Sequence, residues 1–499
     1  MAIPSMNAAQ SDRAAGVLLA AACGDALGAG YEFGPPMADD AVVAMVGGGP
    51  FGWRPGEWTD DTQMSVPILE AAERARREGT TLLDQLDGVA HDWCEWAGQA
   101  RDVGSQTRAV LGAATRQGAR TGDGLAEQSR RHHERTAHTA GNGSLMRTPP
   151  VALAHLGDDD AIATAARQIS SLTHWDDDAG DACVLWCLAI SHAVLDGEFD
   201  VRRGLAWLPE SRRGEWGQRM SEAEVGAPID FPRNGWVVHA FQAAWSAIAT
   251  TPVPEPGPAQ GSFPAQHLRL ALERAVRAGH DTDTVASIAG ALLGARWGSS
   301  AVPGEWRRLV HGWPGLRGPD LAARGLAVAR GEADPQGWPT TERVDYARFG
   351  ARGRVVSHPH DDGVLLGDAA LLDDLPGGVD AIVSLCRVGS GAARLVDPGA
   401  HVSVWLIDRA APEENPNLDF VLADAADTVA AMRAEGRTVL LHCAAAQSRT
   451  PTVAAAYSIR HRGLEPGPAL DEVCAALPDP SPNRGFVAAL SRMTSGVSA

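Results

Sequence analysis

Two acidic segments and one thiol carry the residues best suited to chemistry. In "GEWTDDTQMS" (56–65), Asp60 and Asp61 stand side by side between Thr59 and Thr62, just ahead of the apolar run Met64–Leu69. One carboxylate at a helix start is favoured by the free N–H groups and the helix dipole, but a second beside it adds repulsion that capping does not need. "GHDTDTVASIAGALLGARWG" (279–298) repeats the pattern, with Asp281 and Asp283 interleaved with Thr282 and Thr284. A solvated acidic helix start is the plainer reading of either segment alone. If the two starts converge, four carboxylates and several hydroxyls meet, and such a group stays ionised only with cations. Hard divalent ions with oxygen ligands, Mg²⁺ or Mn²⁺, suit it, and a pair of them can bind vicinal hydroxyls and activate a water. No His/Cys set of zinc spacing accompanies the carboxylates.

The thiol lies in "VLLHCAAAQSRTPTVAAAYSIRHRG", which begins as a buried strand and ends as a helix, with five residues between Cys443 and Arg449. A loop leading into a helix N-terminus favours an anion and lowers a thiol pKa. Arg449 can grip phosphate through two N–H groups, and Ser448 and Thr450 add hydroxyls.

Two kinds of element must position these groups. From Ser11 to about Gly315 the apolar residues recur at helical spacing, as in "TQMSVPILEAAERARR", "LDQLDGVAHDWCEWAG" and "AGDACVLWCLAISHAVLDG". Pro67 falls early in its helix. The charged stretch 208–230 and the proline-rich "TTPVPEPGPAQGS" (250–262) read as loops. Residues 318–345 read as a final helix and a linker. Then "RVVSHPH", "GVDAIVSLC", "HVSVWLID" and "GRTVLLHC" form short strand-like runs around the helical "FVLADAADTVAAMRAEG". The expectation is a multidomain chain: an N-terminal all-α domain over 11–317, a linker over 318–345 and a C-terminal α/β domain over 346–499.

Composition narrows the function classes. The chain has 499 residues, 44% hydrophobic and 21% charged, as in globular proteins. Asp plus Glu outnumber Lys plus Arg by 62 to 43, which argues against non-specific nucleic-acid binding. There is no lysine, so lysine Schiff-base chemistry is excluded, and the Ala/Gly/Arg richness suggests a GC-rich bacterial genome. No apolar run approaches the roughly 20 residues that span a bilayer, and no secretory leader is evident. No nucleic acid, no membrane and a cytoplasmic location are expected. The seven cysteines are scattered and odd in number, so neither disulfides nor zinc is expected, and six read as small hydrophobes with Cys443 the exception.

Across residues 15–310 the chain resembles the ADP-ribosylglycohydrolase family, which includes the dinitrogenase reductase-activating glycohydrolase. The motifs in order are "GDALGAGYE" (24–32), "WTDDT" (58–62), "DVGSQTR" (102–108), "GNGSLMR" (141–147), "SLTH" (171–174), "NGWVVHAFQAAW" (234–245) and "GHDTDTVASIAGALLGARWG". The resemblance implies an orthogonal all-α bundle holding two Mg²⁺ or Mn²⁺ ions. The implied ligands are Thr59, Asp60, Asp61, Asp281, Asp283 and Thr284, with Glu32 beside the metals. Asn142, Gly143 and Met146 of "GNGSLMR", with His174, would contact substrate. A satisfied histidine at a helix end is the equal alternative for His174. Trp175 and Asp176–Asp178 depart from the expected motif and read as an exposed acidic helix start. The implied reaction is hydrolysis at the anomeric carbon of ADP-ribose, with Glu32 or Asp61 as base and a protein side chain, arginine most commonly, as leaving group.

Residues 346–495 resemble the dual-specificity and tyrosine phosphatase superfamily. The resemblance makes Cys443 the phosphocysteine nucleophile, Arg449 the phosphoryl ligand, His442 a tuner of the thiolate and Ser448 an aid to its release. "VWLIDRAAPEENPNLDF" occupies the general-acid loop, with Asp408 the candidate acid and Asp419 a weaker one. Ala446 stands where a glycine is usual.

The leading reading is a bifunctional enzyme acting on an ADP-ribosylated protein, or a small molecule containing ADP-ribose, and on a phosphorylated substrate. The alternatives are a non-catalytic phospho-ligand module at the C-terminus, or a helical domain that senses ADP-ribose without cleaving it.

Overall fold

The computed structural model describes residues 6–136, 138–331 and 336–493. Residues 332–335 of the expected linker and 494–499 of the expected C-terminal domain lie outside the described residues. The N-terminal region is mostly helical, and the C-terminal region is an α/β domain.

The helices that carry or brace the sites are α1 (Ala8–Gly28), α2 (Asp60–Glu78), α3 (Asp177–Asp196), α4 (Glu210–Val225), α5 (Thr282–Trp297), α6 (Gly304–Leu309) and α7 (Gly318–Arg330). Helix α1 packs closely against α5. Gly16, Ala20, Gly24 and Gly28 recur every fourth residue, so they share one face of α1. Opposite stand Ala286, Gly290 and Gly294 of α5. A Cβ on Gly24 would fall 2.1 Å from the Ala286 carbonyl oxygen, and one on Gly294 would fall 2.1 Å from that of Gly16. The two backbones touch, antiparallel, which sets the start of α5 beside the end of α1.

The charged stretch expected as a loop contains helix α4, so that expectation is corrected. Its Trp216, Met220 and Ala223 are buried at helical spacing, and two of its arginines pair with α3 while Arg213, Glu215 and Glu222 face water. Arg212 and Arg219 both bind Asp178, and Trp216 Nε1 donates to buried Asp181 at 3.1 Å. The acidic start of α3 is therefore tied at Asp178. Helix α3 is also long and apolar enough to cross a membrane by length and composition, contrary to the reading of the sequence, but 89% of its apolar window is buried inside the protein. Helix α7, read as the approach to a linker, packs on α1 and puts Leu321, Leu326, Val328 and Ala329 into the same core.

The C-terminal sheet comprises β1 (Val355–His358), β2 (Asp361–Asp368), β3 (Ala381–Ser384), β4 (His401–Ser403) and β5 (Val439–Cys443), in the order β1-β2-β5-β3-β4. Only the β1–β2 pair is antiparallel. Strand β2 was not read from the sequence, because its consecutive Val364, Leu365 and Leu366 break the alternation that marks a half-exposed strand. β5 is central and buried throughout, and it delivers Cys443 to the carboxyl edge, where open parallel sheets bind ligands. Helices α8 (Leu418–Ala434) and α9 (Arg449–Arg462) pack together, α9 leading out of the loop after Cys443. All seven cysteines are free; Cys474 is half-buried and the other six are buried.

Candidate active sites

The two acidic helix starts converge. Carboxylate oxygens of Glu32, Asp281 and Asp283 lie within 4.8 Å of one another. Asp61 joins them through hydroxyls: Thr59 and Thr284 both donate to its Oδ2, at 3.3 and 3.2 Å. Glu32, Asp60, Asp61 and Asp283 are all buried. Burial and the charge of their neighbours push Asp60, Asp61 and Asp283 well above the usual carboxylate range, and Glu32 up to about 9. Burial and Asp281 likewise lift Asp102 to about 6. Asp61 Oδ1 and Glu32 Oε2 are buried with no hydrogen-bond partner. Orphaned carboxylate oxygens among crowded acids fit hard divalent cations, which would supply the missing bonds and remove the repulsion.

The adjacent carboxylates at the start of α2 do not cap it. Thr59 makes no side-chain cap. Asp25 of α1 caps the helix instead, accepting from Thr59 N–H (2.8 Å), Thr62 N–H (3.0 Å) and Thr62 Oγ1 (2.6 Å). Asp60 and Asp61 are thus free of capping duty. On the other side, Phe33 and His280 both adopt positive φ, 61° and 64°, and they flank Glu32 and Asp281. Phe33 N–H donates to His280 O at 2.6 Å and His280 N–H to Gly34 O at 2.8 Å. Backbone strain of this kind persists only where the surroundings over-determine it. Asn234 braces the turn, donating to Gly279 O and accepting from Asp281 N–H, each at 3.1 Å.

Asn142, expected from the resemblance to face substrate, donates its amide N–H groups to Asp281 Oδ2 and Asn234 O, both at 2.8 Å, so it orients a candidate ligand. Met146 is buried behind Thr284. His174 is buried and held well below its usual pKa by burial, then by Arg147. Its tautomer follows from donor counting. Arg147 Nη2 donates to Thr173 Oγ1 at 2.6 Å, and Thr173 Oγ1 lies 2.7 Å from His174 Nδ1. If Nδ1 were the donor, the hydroxyl proton of fully buried Thr173 would lack an acceptor. The hydroxyl therefore donates to Nδ1, and Nε2 carries the imidazole proton. That edge meets the Gly141–Gly143 turn, where a Cβ on Gly141 or Gly143 would sit 3.2 or 3.3 Å from Nε2. The two glycines leave the donor uncovered.

In the α/β domain, Cys443 ends β5 and is buried. His442 is pushed down to about 3 by burial, and its Nε2 lies 2.7 Å from Ser384 Oγ. Arg449 donates through Nη1 to Leu385 O (2.9 Å) and Leu406 O (3.2 Å), while its buried Nε has no hydrogen-bond partner. Ser448 Oγ and Asn483 Nδ2 donate to Asp408 Oδ1 at 2.7 and 2.9 Å, and Asp408 Oδ2 is 3.8 Å from Arg449 Nε. Asp408 is thus gathered at the loop, whereas Asp419 pairs with Arg492 at 2.6 Å. Ala446 has φ 57°, the conformation glycine tolerates and alanine resists.

The sequence reading did not single out Asp25, Asp102, Asn234, Arg147 or Thr173. All lie inside the quoted motifs, but their roles depend on partners far along the chain.

Comparison with known proteins agrees with this architecture. A family profile described as ADP-ribosylglycohydrolase matches residues 6–336, and one described as dual specificity phosphatase, catalytic domain, matches residues 400–495. The chain is 31% identical over 305 residues to ADP-ribosylarginine hydrolase Tri1 of Pseudomonas putida (strain GB-1), covering 59% of this chain and 73% of the relative. It is 27% identical over 304 residues to the ADP-ribosyl-[dinitrogen reductase] glycohydrolase of Rhodospirillum rubrum, covering 59% and 89%. An 84-residue segment is 31% identical to Dual specificity protein phosphatase 1 of Arabidopsis thaliana, covering 17% of this chain and 42% of the relative. The chain belongs to the ADP-ribosylglycohydrolase family, its N-terminal hydrolase domain being joined to a C-terminal dual-specificity phosphatase domain.

Proposed function

We propose that the helical domain removes ADP-ribose from modified arginine side chains with two divalent cations, Mg²⁺ or Mn²⁺, and that the C-terminal domain is a cysteine-dependent phosphatase. The observation that carries the first part is the convergence of both acidic helix starts on two orphaned carboxylate oxygens. The arginine substrate is supported by the name of the Pseudomonas relative. Thr59, Asp60, Asp61, Asp281, Asp283 and Thr284 would hold the ions. When bound, the ions supply Lewis-acid stabilisation at the ribose hydroxyls and the attacking water. With the neighbouring acids neutralised by the ions, Glu32 would be ionised and would take the water proton; it retains more solvent contact than Asp61. As the water oxygen bonds to the anomeric carbon, the C–N bond breaks and its electron pair leaves with the guanidino nitrogen, which takes up a proton. His174 Nε2–H donates to an acceptor of the ligand at the Gly141–Gly143 turn.

In the second site, the Cys443 thiolate attacks phosphorus, a P–S bond forms and the P–O bond breaks toward the leaving oxygen. Asp408 gives that oxygen a proton, Arg449 holds the phosphoryl group, and water, assisted by Ser448, releases phosphate. Ala446 favours a second reading, a module that binds phosphorylated ligands without turnover, because its strained backbone sits inside the loop.

The opposite chemistry of the two sites provides the test. A chelator should stop ADP-ribose release and spare aryl-phosphate hydrolysis. Cys443→Ser should do the reverse. Activity that survives both chelation and Asp283→Ala would refute the metal reading. Absence of thiol-dependent phosphate release in the wild type would leave the binding-module reading in its place.

A further inference from the structure

The segment that carries Asp408 is held at both ends by the other domain. At its start, Arg307 of α6 donates through Nη1 to Ser403 O at 2.8 Å, while its Nη2 binds Asp424 at 2.8 Å. At its end, Asn417 Nδ2 donates to Trp297 O (2.6 Å) and Ser300 Oγ (2.8 Å), at the C-terminus of α5 and the turn beyond it. Ser300 is fixed in turn: its N–H and Oγ both donate to Asp12 of α1, at 2.9 and 2.5 Å. Inside the segment, the Asn415 amide closes a two-way pair with Ile407, accepting from its N–H and donating to its carbonyl, each at 2.8 Å. Ile407 immediately precedes Asp408. Arg307, Ser300, Trp297 and Asn415 are all buried. The contact is sealed by an edge-to-face pair, Phe263 of the helical domain against Phe420 of α8, 5.9 Å between centroids.

We propose that the helical domain is the rear support of the phosphatase's acid loop, residues 404–417, and that Arg307 and Asn417 are positioning residues for proton donation by Asp408. A proton donor contributes in proportion to how closely it is held to the leaving oxygen, and that contribution is largest for a poor leaving group. Fusion to the hydrolase domain therefore supplies part of the phosphatase geometry. The inference rests on Asp408 as the acid in the reading above.

The test uses the full chain carrying Asn417→Ala, with 4-nitrophenyl phosphate and phenyl phosphate as good and poor leaving groups. kcat/KM reports the step in which the P–O bond breaks. It should fall roughly tenfold or more for phenyl phosphate and less than about threefold for 4-nitrophenyl phosphate. Hydrogen exchange over 404–417 should quicken, and ADP-ribose release should not change. Arg307→Lys, which keeps the charge facing Asp424 but loses reach to Ser403 O, should show the same selectivity from the other end. An equal fall for both substrates would mean general loosening of the fold and would overturn the proposal. Unchanged exchange over 404–417 would overturn it whatever the activity. Wild-type protein that cleaves neither phosphate would instead overturn Asp408's role as acid, with the exchange still deciding whether the helical domain supports the loop.

Discussion

Replacing Gly28 with alanine sets two effects of opposite sign against each other. Alanine is about 1 kcal/mol better than glycine inside a helix, and it also reduces the entropy of the unfolded chain. By those effects alone Gly28→Ala stabilises α1. The packing says otherwise. The new Cβ would stand 2.4 Å from Asp283 N and 2.5 Å from both Asp283 Cα and Thr282 C, against 3.4 Å or more for ordinary contact. All three are backbone atoms and cannot rotate away, so the start of α5 must shift by about 1 Å, and overpacking of this kind costs about 1–3 kcal/mol. The net expectation is a loss of roughly 0–2 kcal/mol, a fall of up to a few degrees in Tm for a domain of this size. The shift also draws Asp283 away from Glu32 and Asp281, and misplacement by about 1 Å can cost on the order of a hundredfold in rate. Calorimetric unfolding, Mn²⁺ titration and ADP-ribose release measure the three consequences. Gly214→Ala is the control, since that α4 glycine has nothing within 4 Å of its would-be Cβ and should gain stability. A raised Tm with wild-type Mn²⁺ affinity in Gly28→Ala would refute the claim that backbone contact sets the site.

Three further outcomes are expected. Ala446→Gly should relieve a left-handed alanine that costs about 1–2 kcal/mol, so the α/β domain should melt at a higher temperature; a lower Tm would show the loop is built around the methyl group. Thr173→Val should free the tautomer of His174 and weaken ADP-ribose binding roughly tenfold at unchanged Mn²⁺ affinity; equal ADP-ribose affinity in calorimetric titration would discard the relay. His358 is buried, donates from Nε2 to Ala454 O and accepts at Nδ1 from His360 N–H, each at 3.1 Å, and burial holds it at about 4. The unfolded chain binds that proton near pH 6.5, so the α/β domain should lose stability as pH falls from about 6.5 toward 4. His358→Gln should flatten the slope in thermal melts across that range; an unaltered slope would assign the effect to other groups.

What was legible in the sequence was local. The helical spacing of the N-terminal region, the strand-loop-helix around Cys443 and the paired Asp/Thr helix starts are patterns a few residues long, and they name most of the candidate ligands before any folding is considered. Helix α4 and strand β2 escaped for the same reason, since one hides its apolar face among charges and the other has no polar alternation. What tertiary structure decided is how residues far apart in the chain come together. Asp25 caps a helix that begins 35 positions later, and Glu32 meets Asp281 and Asp283 only because α1 and α5 touch along a glycine stripe. The neutral, Nε2-protonated state of His174 needs Arg147 behind Thr173. The support of Asp408's loop needs residues 297–307 of the other domain. Local propensity depends on neighbours in sequence, whereas crowding of carboxylates, orphaned oxygens and the choice of tautomer depend on what burial leaves within a few ångströms, and that is set by packing.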